Sequence, residues 1–249
     1  MEIDFDRMST ELAPRGKAEL ITADSRRAAE VPERWHGVLT GRTAAERREA
    51  ALSHWDSGFL DMIPQFAGVL RERLVDVRVF WVDYSTVRAV VLVYVVEHDE
   101  EGYACWVGWD PASCGDSPRF WDTLPEPVQQ FLRHTHAGFV DPGGESYGLM
   151  RPSDFETFAE HVDWPEGVPR WMDDYVEGQD LVHPGPDYRR IESTRLVVLT
   201  KRPPHIHYCT SPDLAVGEVS LVYSSDSDVS RPTDLGTELD KLMMSRLHG

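Results

Sequence analysis

The residues Gly144-Glu145-Ser146-Tyr147-Gly148 have the Gly-x-Ser-x-Gly spacing of a nucleophile elbow, which would make Ser146 the attacking group of an acyl-transfer reaction. That elbow needs a buried strand before the serine and a helix directly after it. Here a turn, Asp141-Pro142-Gly143, precedes it, and Pro152 interrupts the stretch that should be helical. Triad partners do follow in the right order, from Asp173, Asp174 or Asp180 to His183, His205 or His207, but no Gly-rich oxyanion segment lies upstream. The sequence favours Ser146 in a loop entering a short strand, with a serine hydrolase as the alternative.

A second constellation is His205, His207 and Cys209. Residues two apart on a strand share a face, so these three would line one side and offer imidazole and thiolate to zinc. A fourth ligand is not identifiable, and the spacing is not a strong zinc signature. The simpler reading is a strand that starts after Pro203-Pro204 and carries ordinary histidines. His134 and His136 close a helix, where imidazoles meet the negative end of the helix dipole. Asp173 and Asp174 are neighbours that diverge on a helix and cannot easily share a proton. There is no Gly-x-Gly-x-x-Gly after a strand, no Walker loop and no Cys-x-x-Cys, so no cofactor is expected.

The elements that would position these groups come in blocks. Thr43-x-x-Glu46 is a capping box opening a helix over Ala44 to Trp55, and a second helix follows around Met62 to Leu74. Strand signals cover Leu74–Val82, Val87–Val96 and Tyr103–Trp109, an antiparallel meander with one strand buried on both faces. The loop at 110–118 is the best boundary, giving an N-terminal unit over 1–115 and an α+β unit over 116–249, unless the two form one continuous domain. Beyond it, Leu124-Pro125-Glu126-Pro127 opens a helix to about His134 that buries Val128, Phe131 and Leu132. Ser153 with Glu156 caps a helix to Val162, and Pro169 to Val176 reads as a short helix. Strands at Arg195–Thr200, His205–Thr210 and Glu218–Tyr223 precede a final helix over Thr233 to Leu247. The class is α+β, with a mixed or mainly antiparallel sheet flanked by helices and a helical N-terminal segment.

The 249 residues carry 43 acidic and 25 basic side chains, a net charge of −18. Residues 1–73 contribute only −2 and residues 74–249 the other −16. From Asp154 to Asp187 ten carboxylates face Arg170 alone. Such a field repels phosphate backbones and anionic membranes, and it steers in a basic protein partner. Within that stretch Asp163, Trp164, Glu166, Trp171, Asp173, Asp174, Glu177 and Asp180 combine carboxylates with aromatic anchors, the composition of a contact patch. No apolar run is long enough to span a bilayer and the N-terminus has no signal-peptide pattern. With three unpaired-looking cysteines, Cys105, Cys114 and Cys209, the expected compartment is the cytoplasm.

The segment from Phe120 onward resembles the SUKH superfamily, which includes the yeast cell-wall-assembly regulator and many bacterial immunity proteins. The likeness rests on Trp121 and Leu124-Pro125 before the amphipathic helix, on Ala137-Gly138-Phe139, and on Ser146-Tyr147-Gly148-Leu149 leading to Phe155. It covers about half the chain, and Ala137-Gly138 stands where the family often has Asn-Gly. The resemblance implies a non-enzymatic protein that binds and neutralises a toxin of competing bacteria. A basic toxin domain would then meet the acidic face.

Overall fold

The computed structural model describes residues 3–13, 16–84, 87–100, 102–142, 146–169, 191–223 and 228–248. Local signals set the first elements. Asp4 caps α1 (Phe5–Leu12) by accepting from the Asp6 and Arg7 amides, and β1 (Lys17–Ile21) follows. After α2 (His36–Thr40), Thr43 and Glu46 form the expected capping box of α3 (Ala44–Leu52). The helix expected to reach Trp55 stops at Leu52, because Asp56 caps a new one, α4 (Ser57–Met62). Pro64 opens α5 (Pro64–Glu72), where its missing N–H costs nothing. The other N-terminal amides of α5 are capped from far away: buried Asp240 accepts from Phe66 N at 2.8 Å and Gln65 N at 3.1 Å.

The meander forms as its β-branched and aromatic residues suggest, as β2 (Leu74–Tyr84), β3 (Val87–His98) and β4 (Gly102–Trp109). All pairings are antiparallel, with Tyr94 opposite Val77 and Trp106. Val91 to Val96 are buried without a break because both faces of β3 are covered. Trp55 and Phe66 pack over Tyr94 and Trp106 on one side. On the other, α1 sets Arg7 over the Tyr103 ring and Phe5 under Arg78.

This sheet continues past the boundary expected at 110–118. After α6 (Glu126–Gln130) and a π-helical turn at Phe131–Thr135, β5 (Phe139–Asp141) pairs with β4, and β6 (Ser146–Leu149) pairs with β5. The order is β1-β2-β3-β4-β5-β6. A short α7 (Phe158–His161) leads to a second antiparallel sheet of β7 (Val197–Arg202), β8 (Ile206–Thr210), β9 (Glu218–Tyr223) and β10 (Asp228–Val229), with β11 (Thr233–Asp234) also on β9. Met150 N donates to Leu199 O at 3.0 Å, so the end of β6 meets β7. The closing α8 (Leu235–Ser245) returns to the first core through Leu235, Leu239 and Met243. The fold is α+β, with two antiparallel sheets and helices around them.

Candidate functional site

The acidic patch begins where α7 ends. Ser153 does not cap this helix; Thr157 does, one turn later, in a capping box with Glu160. The reason is tertiary: Val198 N donates to Glu156 O at 3.0 Å and Thr157 bridges Val197, which keeps 156–157 extended along the second sheet. The Thr157 amide and hydroxyl hold the Glu160 carboxyl below its ordinary range, and Arg119 at 3.5 Å adds to this.

Past α7 the chain turns sharply, with Asp163 at φ +62° and Gly167 at φ +117°. Trp164 N donates to Ala159 O at 2.8 Å, and Val168 N donates to the Ser193 hydroxyl at 3.0 Å, so both ends of the turn are tied down. Its crest presents Trp164, 54% exposed, with Asp163 and Glu166 exposed beside it. The remaining expected contact residues, Trp171, Asp173, Asp174, Glu177 and Asp180, lie outside the described residues, as does the helix expected at Pro169–Val176 beyond its first residue.

Ser146, expected in a loop entering a short strand, is itself the first residue of that strand. The residue is buried, and its hydroxyl donates to Gly148 O at 2.9 Å, lies 2.9 Å from the Thr200 hydroxyl and accepts from Lys201 N at 3.2 Å. Thr200 also donates to Gly148 O. These bonds stitch β6 to β7. Strand, not helix, follows the serine, although Ser146 itself holds a left-handed φ of +84°.

Among the described residues the structure does not assemble His205, His207 and Cys209 into a metal site. His205 precedes β8 and is exposed, whereas His207 and Cys209 are buried in a small second core with Phe158, Val198 and Val222. Burial pushes the Cys209 thiol pKa up. Burial first, and then His161, push the His207 pKa down to about 4. The His161 ring lies 4.6 Å from that of His207, and its Nδ1 is 2.6 Å from Glu156. Among the described residues no group of three His, Cys, Asp or Glu side chains is arranged to hold a metal ion.

A buried polar chain centres on His136, which its spacing placed at the close of a helix. His136 is not a solvated residue at a helix end but is fully enclosed against Trp35, Trp55, Phe131 and Phe139. The π-turn places it there, through the bond from His136 N to Phe131 O at 2.9 Å. Its Nδ1 is 3.3 Å from Trp109 O, which can only accept, so Nδ1 carries the proton and Nε2 accepts from Tyr94 Oη at 2.8 Å. Tyr94 Oη in turn accepts from Trp55 Nε1 at 3.1 Å. Burial lowers the His136 pKa to about 3 and raises that of Tyr94, so both stay neutral. The chain Trp55–Tyr94–His136–Trp109 ties α-layer, sheet and π-turn together. The one sequence signal for it is Tyr94 itself, a lone hydroxyl in an apolar run buried on both faces, which has to find a partner.

No family model matches the chain, and no curated protein or solved structure matches it either.

Proposed function

We propose that this chain is an acidic binding protein, an immunity protein that neutralises a bacterial toxin by direct contact with a basic toxin domain. The observation that carries the reading is Trp164, more than half exposed on an anchored turn between the exposed carboxylates Asp163 and Glu166. An exposed indole ringed by acidic groups suits a contact whose centre is aromatic and whose rim is charged. The net charge of −18 supports it, since that field accelerates encounter with a cationic protein and disfavours nucleic acid. The resemblance to the SUKH superfamily points the same way. Among the described residues no helix is long and apolar enough to cross a membrane, and the reading assigns the protein to the cytoplasm.

The test is affinity isolation of the tagged protein from its native cells in low and high salt, beside a variant carrying Asp163→Lys, Trp164→Ala and Glu166→Lys. A basic partner held stoichiometrically in low salt, released by high salt and lost by the variant supports the reading. A partner that the variant retains equally well overturns the assignment of this surface.

A further inference from the structure

The first sheet ends differently on its two sides. At one end β6 is followed directly by a bond to the second sheet, from Met150 N to Leu199 O at 3.0 Å. At the other, β1 is the outermost strand. Its main chain pairs with β2 from Lys17↔Asp83 to Ile21↔Val79, and among the described residues no other hydrogen bond reaches it. Alternate residues of such a strand turn their N–H and C=O outward, a row that a further strand can take. Lys17 and Glu19 are exposed on one face of β1, with Ala18 and Leu20 half-buried on the other. Lys17 forms no ion pair among the described residues. Glu19 is held by Arg27 at 3.3 Å, and Arg27 is stacked over the Trp81 ring at 3.9 Å.

We infer that this edge pairs with the same edge of a second copy, antiparallel, about a two-fold axis at Ala18. Opposed residues in a sheet share a face, so the axis must pass through a residue rather than between two. Placed at Lys17 or at Glu19 it opposes like charges, and placed at Leu20 it gives neither charge an opposite partner. Placed at Ala18 it sets Lys17 of each copy against Glu19 of the other, with a small side chain on the axis. Charges on a short outer strand ordinarily discourage pairing, but two of opposite sign, two residues apart, are complementary to themselves in this one register. The distribution of charge favours the same place. Copies carrying −18 repel each other, yet residues 1–73, which include β1, contribute only −2 of that charge.

The test is sedimentation equilibrium of the intact protein at physiological salt. A five-residue edge buries little surface, so the association is weak, and the mass should rise from 28.3 kDa toward twice that value as the concentration approaches about 1 mM. Lys17→Glu and Glu19→Lys each oppose like charges at two symmetry-related points, and each should weaken self-association about tenfold. An equimolar mixture of these two variants opposes unlike charges at every point and should associate at least as well as the wild type. Ala18→Cys should form a disulfide-linked dimer under mild oxidation, since directly opposed strand residues are within bridging distance, whereas the exposed Asp24→Cys should not. Unchanged far-ultraviolet circular dichroism verifies that the variants are folded. The inference is overturned if the protein stays monomeric at about 1 mM, if either reversal associates as tightly as the wild type, or if the mixture fails to associate.

Discussion

Replacing Tyr94 with phenylalanine tests whether the buried polar chain is a structural tie. The ring is kept, so its T-shaped contacts with Trp55 at 5.8 Å and His136 at 5.4 Å survive and no cavity opens. Only Oη is lost, and with it the bonds at 3.1 Å to Trp55 Nε1 and at 2.8 Å to His136 Nε2. Both partners are then left unpaired out of reach of water, at about 1–3 kcal/mol each. A total of about 2–6 kcal/mol follows, a large fraction of the roughly 5–15 kcal/mol that stabilises a typical domain. In urea, with a slope of about 2–3 kcal/mol per molar, the midpoint should fall by about 1–2 M with the slope unchanged. Adding Trp55→Phe to Tyr94→Phe removes one orphan, so it should cost at least about 1 kcal/mol less there than in the wild type. A Tyr94→Phe protein within about 0.5 kcal/mol of wild type, or strictly additive costs, would refute the chain as a tie.

Two further outcomes follow from the same region. His136 has a folded pKa near 3 against 6.5 in its unperturbed state, so only the unfolded chain takes up this proton as the pH falls from about 6.5 toward 3. Stability is therefore fully present above pH 6.5 and is lost on acidification, by roughly 1.4 kcal/mol per pH unit from this group. Urea midpoints between pH 7.5 and 5, compared for wild type and His136→Gln, check the sign: the variant should show a shallower decline. Gly108 lies against the same ring, and a Cβ there would sit 2.5 Å from His136 Cε1 and 2.6 Å from Nδ1. Gly108→Ala should cost about 1–3 kcal/mol, whereas Gly68→Ala in α5, with open space around the added methyl, should stabilise by about 0.5–1 kcal/mol. Equal thermal shifts for the two alanines would contradict the packing described.

What could be read from the residues divides by the range of the interaction. Thr43 with Glu46, Pro64 and the β-branched runs of the meander act within a few positions, and the elements they imply are there. The helix near 157 shows the limit. Ser153-x-x-Glu156 and Thr157-x-x-Glu160 are both capping-box patterns, and the choice between them is made by Val197 and Val198, forty residues away. The continuation of the first sheet past residue 115 was hidden for a similar reason, since β5 has three residues and no periodicity to betray it. Asp240 looks like one more solvent-facing acid of an amphipathic helix, yet it caps α5 from 174 positions away. Residue type and spacing announce that a polar group needs a partner; the fold decides which one.

The same division bears on function. His136, His207 and Cys209, chemically the most versatile groups picked out by spacing, are enclosed and are held neutral by that enclosure. Ser146 spends its hydroxyl on joining two strands. Asp163, Trp164 and Glu166 are instead left on a turn fixed at both ends, where their mutual arrangement is set before any partner arrives. Preorganisation of that kind lowers the entropic cost of association without adding a contact. It is why the reading of this protein rests on what its surface can meet rather than on the residues whose spacing first suggests chemistry.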